Sequence, residues 1–357
     1  MRLLLAGGGT GGHLFPAVAL AEELLAQEPG SEVLFVGTRQ GLEARVLPRL
    51  GYRLEAIEIS GFMGKGPGEK IAVLPKLLKS LARCRRILRE FRPDAVVGVG
   101  GFASVPAVLA AGSLGIPVLI HEQNARPGMA NRLLAGMARR VCLSFAQTEG
   151  MEGRGYPVTG NPLRRALREC PAIPEGDPLL LIFGGSRGAR AINEAVVETL
   201  PLLDAWRGHL EIIHQTGEAD FEMVREAYRR AGWERARVEP FIEDMGGCYA
   251  RAHLVLCRAG ATTIAELTCC GRPSLLIPFP FATGDHQSAN AVALAESGAA
   301  LHLPQRELTP NRLASVLDHL LGDRPTLLTM ASAAWSQGRR DAAASILNEC
   351  RSIARKA

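Results

Sequence analysis

Short apolar runs recur along this chain, each closing on small residues and leading into a segment that is apolar at helical spacing. Arg2–Ala6 (RLLLA) is the first; it ends in Gly7-Gly8-Gly9-Thr10-Gly11-Gly12-His13. A helix follows with Pro16 near its start and Ala17, Leu20, Ala21, Leu24 and Leu25 on one face. A strand at Glu32–Val36 and a helix around Leu42–Leu50 come next. Ala95–Val99, entering Gly98-Val99-Gly100-Gly101-Phe102, and Pro117–His121, entering Glu122-Gln123-Asn124, complete a first set. Continuous rather than alternating apolar runs predict strands covered on both faces, as in a parallel sheet.

The second half repeats the plan. Leu179–Phe183 (LLLIF) leads into Gly184-Gly185-Ser186-Arg187-Gly188-Ala189 and a helix through Ile192, Ala195, Val196 and Val197. Further strands are predicted at Leu210–His214, Leu254–Cys257 and Ser274–Ile277. The pattern predicts an α/β chain of two similar Rossmann-like, doubly wound domains facing each other across a cleft. The linker falls near Pro157–Pro162. Domains are expected at residues 1–160 and 161–338, with a helix at 339–357 returning to the first.

Composition narrows the class. At 357 residues, 47% hydrophobic and 22% charged, the chain suits two globular domains, each with its own core. The net charge of +5 does not by itself indicate nucleic acid, and none is expected as a partner. Eight cysteines without CxxC spacing read as reduced thiols rather than a zinc site or a disulfide frame. Met1 runs straight into a strand, so no signal peptide is expected; the run nearest to a membrane span, Val105–Ile120, is broken by Gly and Pro.

The densest chemistry lies between Cys257 and Ala291. Ala261 follows a small-residue turn, and Thr262 and Thr263 are expected to cap a helix begun by Ile264, Ala265, Glu266 and Leu267. A helix start offers unpaired N–H groups and partial positive charge, a seat for phosphate. Glu266 is expected in the first turn, where a carboxylate suits the dipole and can accept from a ribose diol. A Pro- and Gly-rich loop then delivers Asp285, His286, Gln287 and Asn290. Together these features describe a seat for a nucleotide sugar.

The first Gly loop also fits a dinucleotide fingerprint by spacing, Gly7-x-Gly9-x-x-Gly12. The second strand ends in Val36-Gly37-Thr38-Arg39, with no acid for the ribose diol of NAD; Arg39 suits a 2′-phosphate, which keeps an NADP-dependent reductase as an alternative. Glycines that merely permit a tight strand–helix turn are the plain reading of any one loop. His13 is either a base at the mouth of the crevice or a helix-start histidine bonded to backbone. A non-enzymatic nucleotide-sugar scaffold is disfavoured by His13 and Glu122 at one edge.

The order of GGGTGGHLFPAVALA (7–21), GVGGFASVPAVLAA (98–111), HEQNARPGMANRLLA (121–135), GNPLR (160–164), FGGSRGARAIN (183–193), PFIEDM (240–245), CRAGATTIAEL (257–267) and DHQSANA (285–291) resembles the MurG family. That family comprises UDP-N-acetylglucosamine (UDP-GlcNAc) transferases of the two-Rossmann GT-B type, which convert undecaprenyl-diphosphate-linked lipid I to lipid II in peptidoglycan synthesis. The resemblance implies inverting transfer of N-acetylglucosamine to the C4 hydroxyl of N-acetylmuramic acid; another UDP-sugar-dependent glycolipid glycosyltransferase is the neighbouring alternative. It implies donor contacts at Ser186, Arg164, Gln287 and Glu266, at the run Ala261–Thr262–Thr263–Ile264–Ala265, and at the backbone of Ile242. Thr10, Gly11, Gly12 and Asn124 would reach the donor from the first domain.

Inverting displacement needs a base for the acceptor hydroxyl and fixed donors for the diphosphate. His13 is the first candidate base and Glu122 the second. Gly100, Gly101 and Ser104 are the candidates for the acceptor diphosphate. No DxD-type carboxylate pair stands beside these loops, so no essential metal and no cofactor are expected. Between Lys65 and Arg92 lie nine basic residues, among them Lys76, Lys79 and Arg83, with leucines at helical spacing. Phe62 and Met63 precede them on a Gly-flanked loop. Basic helix and apolar loop together predict docking on an anionic membrane surface; the resemblance implies that this is the cytoplasmic face of the plasma membrane. Proteins of cell-wall synthesis are further expected partners.

Overall fold

A computed structural model of the chain describes residues 1–59, 67–168 and 170–354. The chain divides into two units, residues 1–164 with 340–357, and residues 165–339. The boundary expected at 160/161 thus falls at 164/165, which assigns Arg164 to the first unit.

The first unit alternates strand and helix. Its elements are β1 (Arg2–Ala6), α1 (Gly11–Gln27), β2 (Glu32–Thr38), α2 (Glu43–Arg49), β3 (Arg53–Ile57), α3 (Pro67–Phe91), β4 (Ala95–Gly98), α4 (Ser104–Ser113), β5 (Val118–Glu122), α5 (Met129–Leu134) and β6 (Arg140–Leu143). The strands are parallel in the order β3-β2-β1-β4-β5-β6. The order reverses between β1 and β4, so the crevice that opens where neighbouring chains turn away from each other lies past those two strand ends.

The second unit repeats that scheme with β7 (Leu179–Phe183), α6 (Arg190–Thr199), β8 (Glu211–Gln215), α7 (Phe221–Arg230), β9 (Ala236–Glu239), α8 (Met245–Arg251), β10 (Leu254–Cys257), α9 (Ala261–Cys270), β11 (Ser274–Leu276), α10 (His286–Glu296), β12 (Ala300–His302), α11 (Pro310–Gly322) and α12 (Arg324–Gln337). Its sheet is parallel too, in the order β12-β11-β10-β7-β8-β9, with the reversal between β7 and β10.

Side chains alternate across the first sheet. Leu4, Ala6, Val96 and Ile120 pack toward α3 and α4, while Leu3, Leu5, Val97 and Leu119 pack toward α1. The second face is completed by α13 (Ala342–Ile353), whose Ala343, Ile346, Leu347 and Cys350 enter the same core as Leu20 and Leu24. Arg351 donates to Glu28 and Gln27 of the α1 end, and Arg140 pairs with Glu349. Burial at about 25 cal/mol per Å² of apolar area is the main force holding this last helix in place. In the second unit Leu180, Ile182, Leu254 and Leu256 share one core with Ile192, Val196, Leu313 and Leu317.

The four strands that the apolar pattern did not predict, β3, β6, β9 and β12, are the edge strands of the two sheets. β3 and β9 are half-exposed along most of their length, so neither carries an unbroken apolar run. Edge strands face solvent on one side, and their sequence is correspondingly mixed.

Candidate active site

In the first unit, three loops converge past the ends of β1, β4 and β5. His13 lies in the first turn of α1, and its Nδ1 is 3.2 Å from Thr10 Oγ1. A Cβ built on Gly100 would lie 3.0 Å from His13 Cδ2 and 3.1 Å from Nε2, so the imidazole lies directly on the Gly100 backbone. Gly100 and Gly101 have φ of 90° and 75°, a conformation glycine adopts without steric cost. The sequence-predicted base and the candidate acceptor loop are therefore neighbours at the reversal point of the sheet.

Two other predicted residues do different work. Ser104 is fully buried, and its hydroxyl donates to Gly101 O at 2.8 Å, so it shapes the Gly100–Gly101 loop from within. Glu122 is also buried, with 1% exposure. Its Oε1 accepts from the N–H and amide of Asn124, and its Oε2 accepts from Gly128 N–H and Asn131 Nδ2. Burial pushes its carboxyl above the ordinary range despite these donors. With both oxygens engaged by one loop, Glu122 anchors residues 123–131. Asn124 spends donors on that anchor. Thr10 and Gly12 are exposed, and Gly11 is half-buried.

His121 and Gln123 support the same loops from beneath. His121 Nε2–H donates to Gly160 O at 3.0 Å, and Gln123 Nε2 donates to Val99 O at 2.8 Å and to His121 Nδ1 at 3.1 Å. Burial lowers the His121 pKa to about 4, so the ring is neutral. Arg164, exposed, rests its guanidinium 5.5 Å from the centre of the Phe15 ring.

Glu43 is a residue that the sequence reading passed over. It is fully buried at the start of α2, and its carboxylate accepts from Gly9 N–H, Thr38 N–H and Thr38 Oγ1, each at 2.8 Å. The acid missing from the end of β2 is thus supplied five residues after Thr38, and it is turned onto the Gly loop itself. Gly9 N–H is spent on a carboxylate of the chain, which removes the main support for the dinucleotide reading of this loop. A lone acid between Gly41-Leu42 and an apolar helix was the available signal.

In the second unit the segments after β7, β9, β10 and β11 carry the donor candidates Ser186, Ile242, Ala261–Glu266 and Gln287. α9 begins at Ala261, one residue after its extended Gly260 cap, so Thr262 and Thr263 are first-turn residues and not caps. Glu266 accordingly lies beyond the first turn. Its Oε2 accepts from Tyr249 Oη–H at 2.9 Å, and Tyr249 is fully buried. Burial, with the Glu266 charge second, pushes the phenol well up, so it stays a donor. Ala261 and Ile264 are buried, while Thr263 and Ala265 are half-buried. Thr262 Oγ1 is shielded and has no hydrogen-bond partner among the described residues.

Arg258, 8% exposed, stands just ahead of α9. Its guanidinium donates to Ile277 O, Pro278 O and Gln305 Oε1, all neutral acceptors. Burial draws its pKa down to about 10, still cationic at neutral pH. A cation ahead of a helix N-terminus adds to the positive end of the dipole, a field that favours an anion there.

Ser186 is exposed on the loop after β7. Gln215, which the sequence reading missed, ends β8 and ties together the two loops that carry the donor candidates Ser186 and Ile242. Its Nε2 donates to Gly185 O at 2.9 Å and its Oε1 accepts from Ile242 N–H at 2.9 Å. The Ile242 N–H is thus spent within the chain. Gln287, in the first turn of α10, accepts from Phe279 N–H at 2.9 Å and so braces the loop before it. Asn290 Nδ2 fastens α10 to Ala259 O at 3.2 Å.

The membrane candidates divide. Phe62, Met63 and Lys65 lie outside the described residues. Lys79 pairs with Glu58 at 3.2 Å and Arg83 with Glu55 at 3.5 Å, all on the exposed side of α3, while Cys84, Ile87 and Leu88 enter the core. Lys76 is exposed. No helix among the described residues is long and apolar enough to cross a membrane, and no group of three or more His, Cys, Asp or Glu among them is placed to hold a metal ion.

Two family models match: the glycosyltransferase family 28 N-terminal domain over residues 3–143 and the family 28 C-terminal domain over residues 179–346. The chain is a UDP-GlcNAc-dependent glycosyltransferase built from two Rossmann-like domains. It is 55% identical over 354 residues, 99% of each chain, to a protein of Syntrophotalea carbinolica named UDP-N-acetylglucosamine–N-acetylmuramyl-(pentapeptide) pyrophosphoryl-undecaprenol N-acetylglucosamine transferase. It is 49% identical, over the full length of both, to one of that name from Geobacter metallireducens. The crystal structure of Acinetobacter baumannii MurG superposes with a TM-score of 0.80 at 34% identity, covering 98% of this chain and 99% of that one. The chain belongs to that family of undecaprenol-linked N-acetylglucosamine transferases. The reductase reading of the first Gly loop is overturned by the same findings.

Proposed function

We propose that this protein transfers N-acetylglucosamine from UDP-GlcNAc, with inversion, to the C4 hydroxyl of the N-acetylmuramyl sugar of lipid I, forming lipid II. The observation that carries the reading is the 55% identity, across 99% of both chains, to a transferase of that name. The two half-sites supply chemistry that suits it.

On the donor side, the start of α9 with Arg258 behind it favours the diphosphate, Glu266 accepts from the ribose hydroxyls, and the Ile242 carbonyl accepts from uracil N3–H. As the glycosidic bond to the departing oxygen breaks, charge grows on the UDP diphosphate. The α9 N–H groups and the Ser186 hydroxyl meet that charge. We assign no step to a divalent ion. On the acceptor side, His13 takes the proton from the C4 hydroxyl as its oxygen attacks the anomeric carbon, while the Gly100–Gly101 backbone receives the acceptor diphosphate. The protein works at the cytoplasmic face of the plasma membrane, held peripherally by basic residues of α3, and meets other proteins of cell-wall synthesis there.

The deciding experiment offers radiolabelled UDP-GlcNAc with a lipid I analogue, with UDP-glucose as control and with and without EDTA. Label in a lipid II product from UDP-GlcNAc alone, unaffected by EDTA, is the expected result. No lipid-linked product sinks the reading, and activity lost with EDTA and restored by a divalent ion removes its metal-free part.

A further inference from the structure

A carboxylate inside a glycine-rich loop is an unusual choice, because the N–H groups of such loops ordinarily face a bound phosphate. Glu43 is such a group. It reaches back from the start of α2, fully buried, and takes Gly9 N–H, Thr38 N–H and Thr38 Oγ1 at 2.8 Å each. Room for it is made by three glycines: a Cβ on Gly8, Gly37 or Gly41 would lie 2.5, 2.6 or 2.2 Å from its side-chain atoms. Gly8 and Gly9 belong to the loop after β1, and Gly37 and Gly41 flank the turn after β2. The carboxylate thus binds two loops from the inside. Gly9 leads directly into Thr10 and His13, whose ring lies on Gly100, and Gly101 in turn packs on Gly8, whose carbonyl oxygen would be 2.7 Å from a Cβ at Gly101.

We propose that Glu43 is a positioning residue for transfer: an internal anion that takes up the first Gly loop's phosphate-type donor and so fixes His13 against the Gly100–Gly101 acceptor loop. The proposal rests on the reading that His13 serves the acceptor hydroxyl. It assigns to the Gly9 N–H of the N-terminal Gly loop a task in acceptor chemistry in place of phosphate binding. A charge-assisted set of hydrogen bonds within a buried pocket is strong and directional, which is what holding a ring in one place requires.

The test uses the full-length protein with Glu43→Ala, Glu43→Gln, His13→Ala and the Glu43→Ala/His13→Ala pair. Glu43→Ala leaves a pocket the size of a small carboxylate with its donors intact. We expect its kcat to fall at least about tenfold while the UDP-GlcNAc KM and UDP affinity stay within about twofold. Formate or acetate should restore kcat saturably in Glu43→Ala but not in Glu43→Gln, whose amide fills the pocket. On the His13→Ala background the Glu43 substitution should cost nothing further. Wild-type kcat, a loss expressed as donor KM, or an undiminished loss on the His13→Ala background overturns the proposal.

The His13 ring resonance separates this idea from the reading beneath it. If His13→Ala leaves kcat unchanged, the base assignment fails; a His13 resonance that moves in Glu43→Ala and returns with formate still upholds the positioning, and one that does not move ends it. Should Glu43→Ala not fold, Thr38→Val removes one of the three bonds. It is expected to lower kcat and move the His13 resonance, and leaving both unchanged counts against the proposal.

Discussion

The imidazole of His13 lies on the backbone of Gly100, with Nε2 3.1 Å from the place a Cβ would take. No residue with a side chain fits there without displacing the ring. Gly100→Ala should therefore lower kcat together with His13→Ala, whose loss is expected at about 10²–10⁴-fold, the usual worth of a general base. The UDP-GlcNAc KM should stay near wild type in both. Initial rates at varied donor concentration check this; a normal kcat in His13→Ala withdraws the ring from the reaction.

Glu266 is held by the Tyr249 hydroxyl at 2.9 Å, in a fully buried contact on the tyrosine side. Glu266→Ala removes a charged acceptor and should raise the donor KM by about 10–100-fold, the equivalent of a charge-assisted hydrogen bond. Tyr249→Phe removes only the contact that aims the carboxylate, so a rise of a few-fold is expected. UDP titration by calorimetry gives the answer, and unchanged affinity in both variants would remove the ribose assignment.

Gln215 joins Gly185 to Ile242 through two hydrogen bonds. Gln215→Leu leaves a buried N–H and a carbonyl unpaired, at about 1–3 kcal/mol for such a loss. Stability should drop by that order, and the donor KM should rise because two donor loops lose a common tie. Denaturant unfolding and kinetics measure the two effects separately. A stability loss with unchanged donor KM would make Gln215 purely structural.

Acid should weaken the fold in a defined window. His121 and His214 are buried and neutral, their pKa values drawn by burial from 6.5 to about 4 and about 3. Below 6.5 the unfolded chain binds protons that the folded chain does not, so stability falls as pH drops from 6.5 toward those values. Each ring contributes a slope of up to about 1.4 kcal/mol per pH unit. Glu122 carries the opposite sign: its raised pKa gives stability below the ordinary carboxylate value that is lost as pH rises through the folded one. Unfolding midpoints between pH 3 and 7 should therefore flatten in His214→Gln relative to the parent; an unaltered curve would contradict the buried neutral ring.

Charge on α3 should matter for membrane binding less than its count of cations implies. Lys79 and Arg83 are each paired with a glutamate, and exposed pairs of this kind are mutually screened. Reversing Lys76 and Lys79 to Glu should weaken co-sedimentation with anionic vesicles by several-fold at low salt and little at high salt. Binding indifferent to both salt and reversal would exclude this face from docking.

How much could be read from the chain differs element by element. Leu3–Leu5, Val96–Val97, Leu180–Ile182 and Leu254–Leu256 announce central strands because both faces of those strands are covered. The small-residue clusters at their ends mark the loops that carry His13, Gly100, Ser186 and Ala261. The start of α9 was placed late by three residues, at Ile264 instead of Ala261, since Thr262 and Thr263 are good capping residues in isolation and yet Gly260 takes the cap. Ser104 and Glu122 look like site residues in sequence, but their polar atoms are consumed by Gly101 and by the Asn124–Asn131 loop.

Sequence by itself determined two doubly wound halves, the family, and the loops where the chemistry sits, because periodicity, glycine placement and local motifs are properties of neighbouring residues. Tertiary structure alone decided which polar groups remain for a ligand. Glu43 is distant from Gly9 along the chain, as Gln215 is from Ile242, and only the parallel pairing of β1 with β2 and of β8 with β9 brings each pair within hydrogen-bond reach. Hydrogen bonds act over about 3 Å, so a partner set by sheet topology leaves no periodic trace in the sequence.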